Sequence, residues 1–172
     1  MADPVLISEV RQLIWDLPLT VTAEAVAIAD GRRTTFQLGS YPVIEGSLTV
    51  WLDGVDVTED VTFDPLLGLI TASAAPDKGA LIEADYQWAQ LSDAAIASQL
   101  AAHDNNVLLA AARALEVLLL DPVAVSNLHI EGVGLDLNGR RETVSRAIAS
   151  YREMGSYQRL QLRVDEPDWR MG

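Results

Sequence analysis

The side chains that carry most acid–base, nucleophilic and metal chemistry are thinly spread in this 172-residue chain. Its two histidines, His103 and His129, sit in unrelated segments without a His-x-x-x-His or Glu-x-x-His partner. A helical metal pair cannot be built from that spacing, and both read as surface or interface residues. None of the serines stands in the Gly-x-Ser-x-Gly turn that exposes a hydrolase nucleophile. Cysteine is absent, which excludes a disulfide scaffold, thiolate ligands and a cysteine nucleophile. Gly132-Val133-Gly134 lacks the third glycine and the preceding strand–helix unit of a phosphate loop. Asp53, Asp56, Glu59, Asp60 and Asp64 gather enough carboxylates to suggest calcium, but not at calcium-loop spacing. The expectation is therefore a protein with no catalytic residues, no metal site and no cofactor, and not an enzyme.

Charge is more informative. The chain carries 12 Lys+Arg against 25 Asp+Glu, a formal net charge of −13. Such a balance offers no basic excess to release counterions from nucleic acid, which argues against a phosphate-gripping protein. The distribution is uneven. Residues 1–91 hold 4 basic and 14 acidic side chains, residues 92–139 hold 1 and 6, and residues 140–172 hold 7 and 5. All seven of the last group are arginines, the residue suited to bidentate carboxylate recognition. A solvated final helix explains them; so does an end that seeks an acidic partner surface. No run of about 18 apolar residues occurs, so no membrane span is expected. The start, Met1-Ala2-Asp3-Pro4, lacks the basic and long apolar stretches of a signal peptide. A reducing compartment suits the absence of cysteine, and the length suits one domain, or one domain carrying a smaller one.

These residues must be positioned by three kinds of segment. Residues 3–17 read as an amphipathic helix: Asp3 caps it, Pro4 takes the first helical position, and Leu6, Val10, Leu13, Ile14 and Leu17 recur at helical spacing before Pro18. Residues 20–90 switch to short extended runs between turn residues. Asp30-Gly31 is expected to turn a hairpin from Val21–Ala29 into Thr34–Leu38. Ser47–Leu52, Val61–Phe63, Leu69–Thr71 and Leu81–Trp88 follow, with turns at Asp53-Gly54, Asp64-Pro65 and Pro76–Gly79. In the last run Ile82, Ala84, Tyr86 and Trp88 share a face. Five or six such strands predict an antiparallel sandwich or barrel, with Trp51, Phe63, Tyr86 and Trp88 in its core.

Helical spacing returns after Leu91. Ser92 is the expected cap and Ile96 and Leu100 the stripe, with a break at Asp104-Asn105-Asn106. Leu108, Ala111, Leu115, Leu118 and Leu119 form an apolar second helix that Asp121-Pro122 ends. Residues 128–138 read as an extended arm. A final helix is predicted from about Arg140 to Tyr157, with Val144, Ile148, Tyr151 and Met154 at helical spacing. Gln161–Gly172, with Pro167 and Trp169, has no regular pattern and reads as a docking tail. The fold class expected is α+β: a small helical bundle from 3–17 and 91–160, an inserted β-domain over 20–90, and a tail over 161–172.

The helical segments carry a resemblance. Leu6–Asp16, with Arg11-Gln12-Leu13-Ile14-Trp15-Asp16, resembles the opening helix of tailed-bacteriophage head–tail connector (adaptor) proteins. Leu91-Ser92-Asp93-Ala94-Ala95-Ile96 is similar to the start of that family's next helix. Ala110-Ala111-Ala112-Arg113-Ala114-Leu115-Glu116 resembles its alanine-rich helix. Glu131–Arg140 resembles the arm that leads into its last helix. The ordered set covers roughly the helical half of the chain; the β-region between Asp16 and Leu91 departs from it and itself resembles small sandwich modules of phage structural proteins.

The resemblance implies a structural virion neck protein without catalysis. It would form a ring, typically of twelve copies, between the portal protein of the head and a stopper or tail-completion protein. DNA would pass through the channel without specific binding. The location implied is the virion neck, with the host cytoplasm before assembly and no membrane. Portal docking would fall on Arg159, Leu160, Leu162, Arg163, Val164, Trp169 and Arg170. Ring contacts would fall on His129, Ile130, Leu135 and Leu137. Within assembly, a tail or head-completion protein at another level of the neck is the variant reading. From another class, a carbohydrate- or cell-surface-binding β-module on a helical stalk competes, and it requires Trp51, Trp88 and Tyr41 to be displayed on one β-face.

Overall fold

The computed structural model describes residues 3–121, 124 and 137–164, the side chains of 137 and 160–164 excepted. The chain divides into two compact units, one of residues 17–93 and one of residues 1–16 with 94–172. The architecture is α+β, with four α-helices and two antiparallel sheets among the described residues.

In the helical unit, α1 spans Pro4–Leu13 and is opened by Asp3, whose carboxylate accepts from the Val5 N–H at 2.9 Å. It stops four residues short of the expected Leu17. The Trp15 N–H bonds the Gln12 carbonyl and the Asp16 N–H bonds the Arg11 carbonyl, with Trp15 at φ 56°. That is a Schellman closure, with a tryptophan in the left-handed position glycine usually fills. Helix α2 (Asp93–Ala102) buries Ile96 and Leu100. The expected break follows it, with Asp104 and Asn105 both at positive φ, a conformation these two residue types tolerate. Asn106 then caps α3 (Val107–Leu119) by accepting from the Leu109 N–H at 3.0 Å. Helix α3 buries Ala110, Ala111, Ala112, Ala114, Leu115 and Leu118, and packs against α1 and against the last helix. Small residues let neighbouring backbones approach closely, which suits a helix contacted from two sides.

The last helix, α4, spans Leu137–Val164. It begins before Arg140 and runs past Tyr157, so the patternless tail expected from Gln161 is helical for its first four residues. Arg159 to Arg163 contains only good helix formers, and no breaker occurs before Pro167. Of the residues at helical spacing, Val144 and Ile148 are buried and Met154 is not; the neighbouring Gly155 takes the buried position.

In the β-unit, β1 (Leu19–Ile28), β7 (Leu81–Trp88), β3 (Thr49–Leu52) and β4 (Val55–Asp56) form one sheet in the order β1-β7-β3-β4. The second sheet is β2-β6-β5, from Thr35–Gln37, Leu69–Ala72 and Val61–Asp64. Both are open, so the strands do not close a barrel among the described residues. The hairpin expected at Asp30-Gly31 is not formed: β1 pairs with β7 and β2 with β6. The Asp30 carboxylate instead accepts from the Arg32 and Arg33 N–H groups, at 2.8 Å each, so that the chain leaves one sheet for the other. Those bonds hold its pKa down to about 2. Asp53-Gly54 does turn a hairpin, joining β3 to β4 with Leu52 opposite Val55. Both turn residues have positive φ, 48° and 79°, as a two-residue primed turn requires.

One apolar cluster joins the sheets, with Phe36 and Ile70 from one and Val50, Ile82, Ala84 and Tyr86 from the other. Trp88 and Phe63 pack against it half-buried. Trp51 is a correction: it faces the opposite side of β3 from Val50, and its indole N–H donates to Asp85 at 3.1 Å.

Candidate interaction surfaces

At the end of the first helix Arg11 forms a buried ion pair with Asp16. Their side chains are 6% and 2% exposed and meet at 2.9 Å. The five-residue separation is imposed by the Schellman closure, which brings residue 16 back over residue 11. Both charges of the Arg-x-Leu-Ile-x-Asp motif are thus turned inward, where they fix how α1 ends. Sequence reasoning missed this role, although a lone Arg and Asp flanking an apolar Leu-Ile pair is its visible signal.

Helix α4 is tied to its neighbours on one side. The Tyr151 hydroxyl donates to the Leu13 carbonyl at 3.1 Å, and burial raises its pKa. The Asn106 amide donates to the Gly155 carbonyl at 3.1 Å. Arg152 pairs with Glu116, which also meets Arg113, and Arg159 pairs with Asp104. Arg146 meets Glu142 at 3.4 Å on the same helix, with both side chains more than two-thirds exposed. Of the docking candidates, Arg159 is therefore engaged within the helical unit. Leu160, Leu162, Arg163 and Val164 lie on the last turns of α4, with their side chains outside the described set. Trp169 and Arg170 lie outside the described residues, as do the ring candidates His129, Ile130 and Leu135; Leu137 begins α4. His103 is half-buried in the turn after α2. On the outer side of α4, Met154 and Tyr157 stand 44% and 62% exposed, which the sequence pattern did not anticipate.

The carboxylates of the β-unit are mostly occupied by the backbone. Asp53 accepts from the Leu81 N–H, Asp56 from the Thr58 N–H and hydroxyl, and Asp64 from the Leu66 and Leu67 N–H groups. Those bonds lower the Asp56 pKa. Glu24 accepts from the Tyr86 hydroxyl at 2.5 Å and from the Gly39 N–H at 2.8 Å. Burial, reinforced by the Glu24 carboxylate, pushes the Tyr86 phenol up to about 12. Asp60 and Asp77 differ. They line a cleft of about 400 Å³ whose walls include Phe36, Val50, Ile70 and Ile82. Trp51 and Trp88 lie on opposite faces of one sheet, and Tyr41, outside the strands, is half-exposed.

No family model, no curated protein and no solved structure matches this chain. Among the described residues no helix is long and apolar enough to cross a membrane, and no group of three or more His, Cys, Asp or Glu is placed to hold a metal ion.

Proposed function

We propose that the protein is a structural component of a phage neck: an adaptor that forms a ring against the portal protein and carries the DNA channel on toward a stopper or tail-completion protein. The observation that carries this reading is the ordered set of connector-like segments, three of which fall on α1, the start of α2 and α3 of one helical unit. Support comes from the motif's Arg11 and Asp16, which meet in a buried clasp, and from the alanine-rich segment serving as the helix packed on both sides. We read this unit as a small bundle. We read the β-unit as an inserted sandwich, because residues of both sheets share one apolar cluster.

The acidic total suits a body that lines a channel without holding DNA phosphates. The portal end of the molecule would be the end of α4 and the segment beyond it. Electron microscopy of the purified protein, with and without portal, tests the reading: a ring on the portal is expected. Removal of residues 160–172 spares the Arg159–Asp104 pair and should abolish portal binding with the thermal transition kept. Undiminished binding after that deletion excludes the docking role.

A further inference from the structure

We draw no further inference here: the strongest candidate, the apolar cleft of the β-unit walled by Phe36, Val50, Ile70 and Ile82, carries nothing because nothing in the structure shows what covers it.

Discussion

Arg11 and Asp16 are joined twice, once by the Asp16 N–H on the Arg11 carbonyl and once by the guanidinium on the carboxylate at 2.9 Å. The backbone bond closes the helix and the side-chain bond neutralises both charges inside the unit. Substitution of one partner takes this bond away from a charge that stays buried. Arg11→Met is therefore expected to cost about 3–5 kcal/mol, read as a lower urea midpoint. Arg11→Met combined with Asp16→Leu should recover much of that loss; a double variant as unstable as the sum of its parts would contradict the pairing.

Asn106 serves two helices at once, capping α3 and holding the Gly155 carbonyl of α4. Asn106→Ala should destabilise by about 1–2 kcal/mol. Gly155→Ala would gain roughly 1 kcal/mol of helix propensity, yet its new Cβ would lie 2.8 Å from Leu109 Cγ. The expected outcome is net destabilisation of about 1–2 kcal/mol from overpacking, which Leu109→Ala introduced alongside should partly relieve. Urea titrations of the three variants decide it.

The Tyr86 phenol provides a pH signature. Its pKa is raised from 10.0 to about 12 by burial and then by Glu24. The fold favours the protonated phenol, so this stabilisation is complete below pH 10 and is lost as pH rises toward about 12. Unfolding curves should show wild-type stability falling through that window, and Tyr86→Phe should flatten the fall. Tyr86→Phe should also cost about 1–2 kcal/mol at neutral pH, because Glu24 and the Ser40 N–H both lose the hydroxyl.

At the β3–β4 turn, Gly54 sits at φ +79° with open space around it. Gly54→Ala should therefore cost about 1–2 kcal/mol through backbone conformation alone, while Gly46→Ala, at φ +77° in equally open space, should cost a similar amount. A marked difference between the two in thermal unfolding would point to a packing role for one of them.

How far the chain could be read in advance follows from where local chemistry decides the outcome. Asp3-Pro4, Asn106 and Asp53-Gly54 act on their immediate neighbours, and their caps and turn stand where residue type places them. Strand β7 alternates cleanly because one face is buried along Ile82, Ala84 and Tyr86. Strand β1 does not alternate cleanly, because its register shifts between Val21 and Glu24 and between Ala25 and Ala27. Asp85, from the neighbouring strand, accepts from the Ala23 N–H at the first shift, a contact 62 residues away in sequence. The choice between a hairpin and a sheet crossing at Asp30-Gly31 was likewise set by distant partners, β6 and β7. On α4, helical spacing put Met154 with Val144 and Ile148, yet close approach to Leu109 and Asn106 selects the smaller Gly155. Of the candidate surfaces, the Arg-rich end was legible as composition. That Arg152 and Arg159 are engaged by Glu116 and Asp104 depends on tertiary structure.

The pairing of β1 with β7 sets Leu19 opposite Trp88, the first and last strand residues of the β-unit. The first and last strands of a unit spanning residues 17–93 thus start and finish one strand spacing apart, about 5 Å. To the helices that flank it in sequence, the unit has the end-to-end demand of a tight turn, and its length adds little closure entropy. Lengthening or shortening its internal loops would leave that spacing between Leu19 and Trp88 as it is, because the β1–β7 pairing alone sets it.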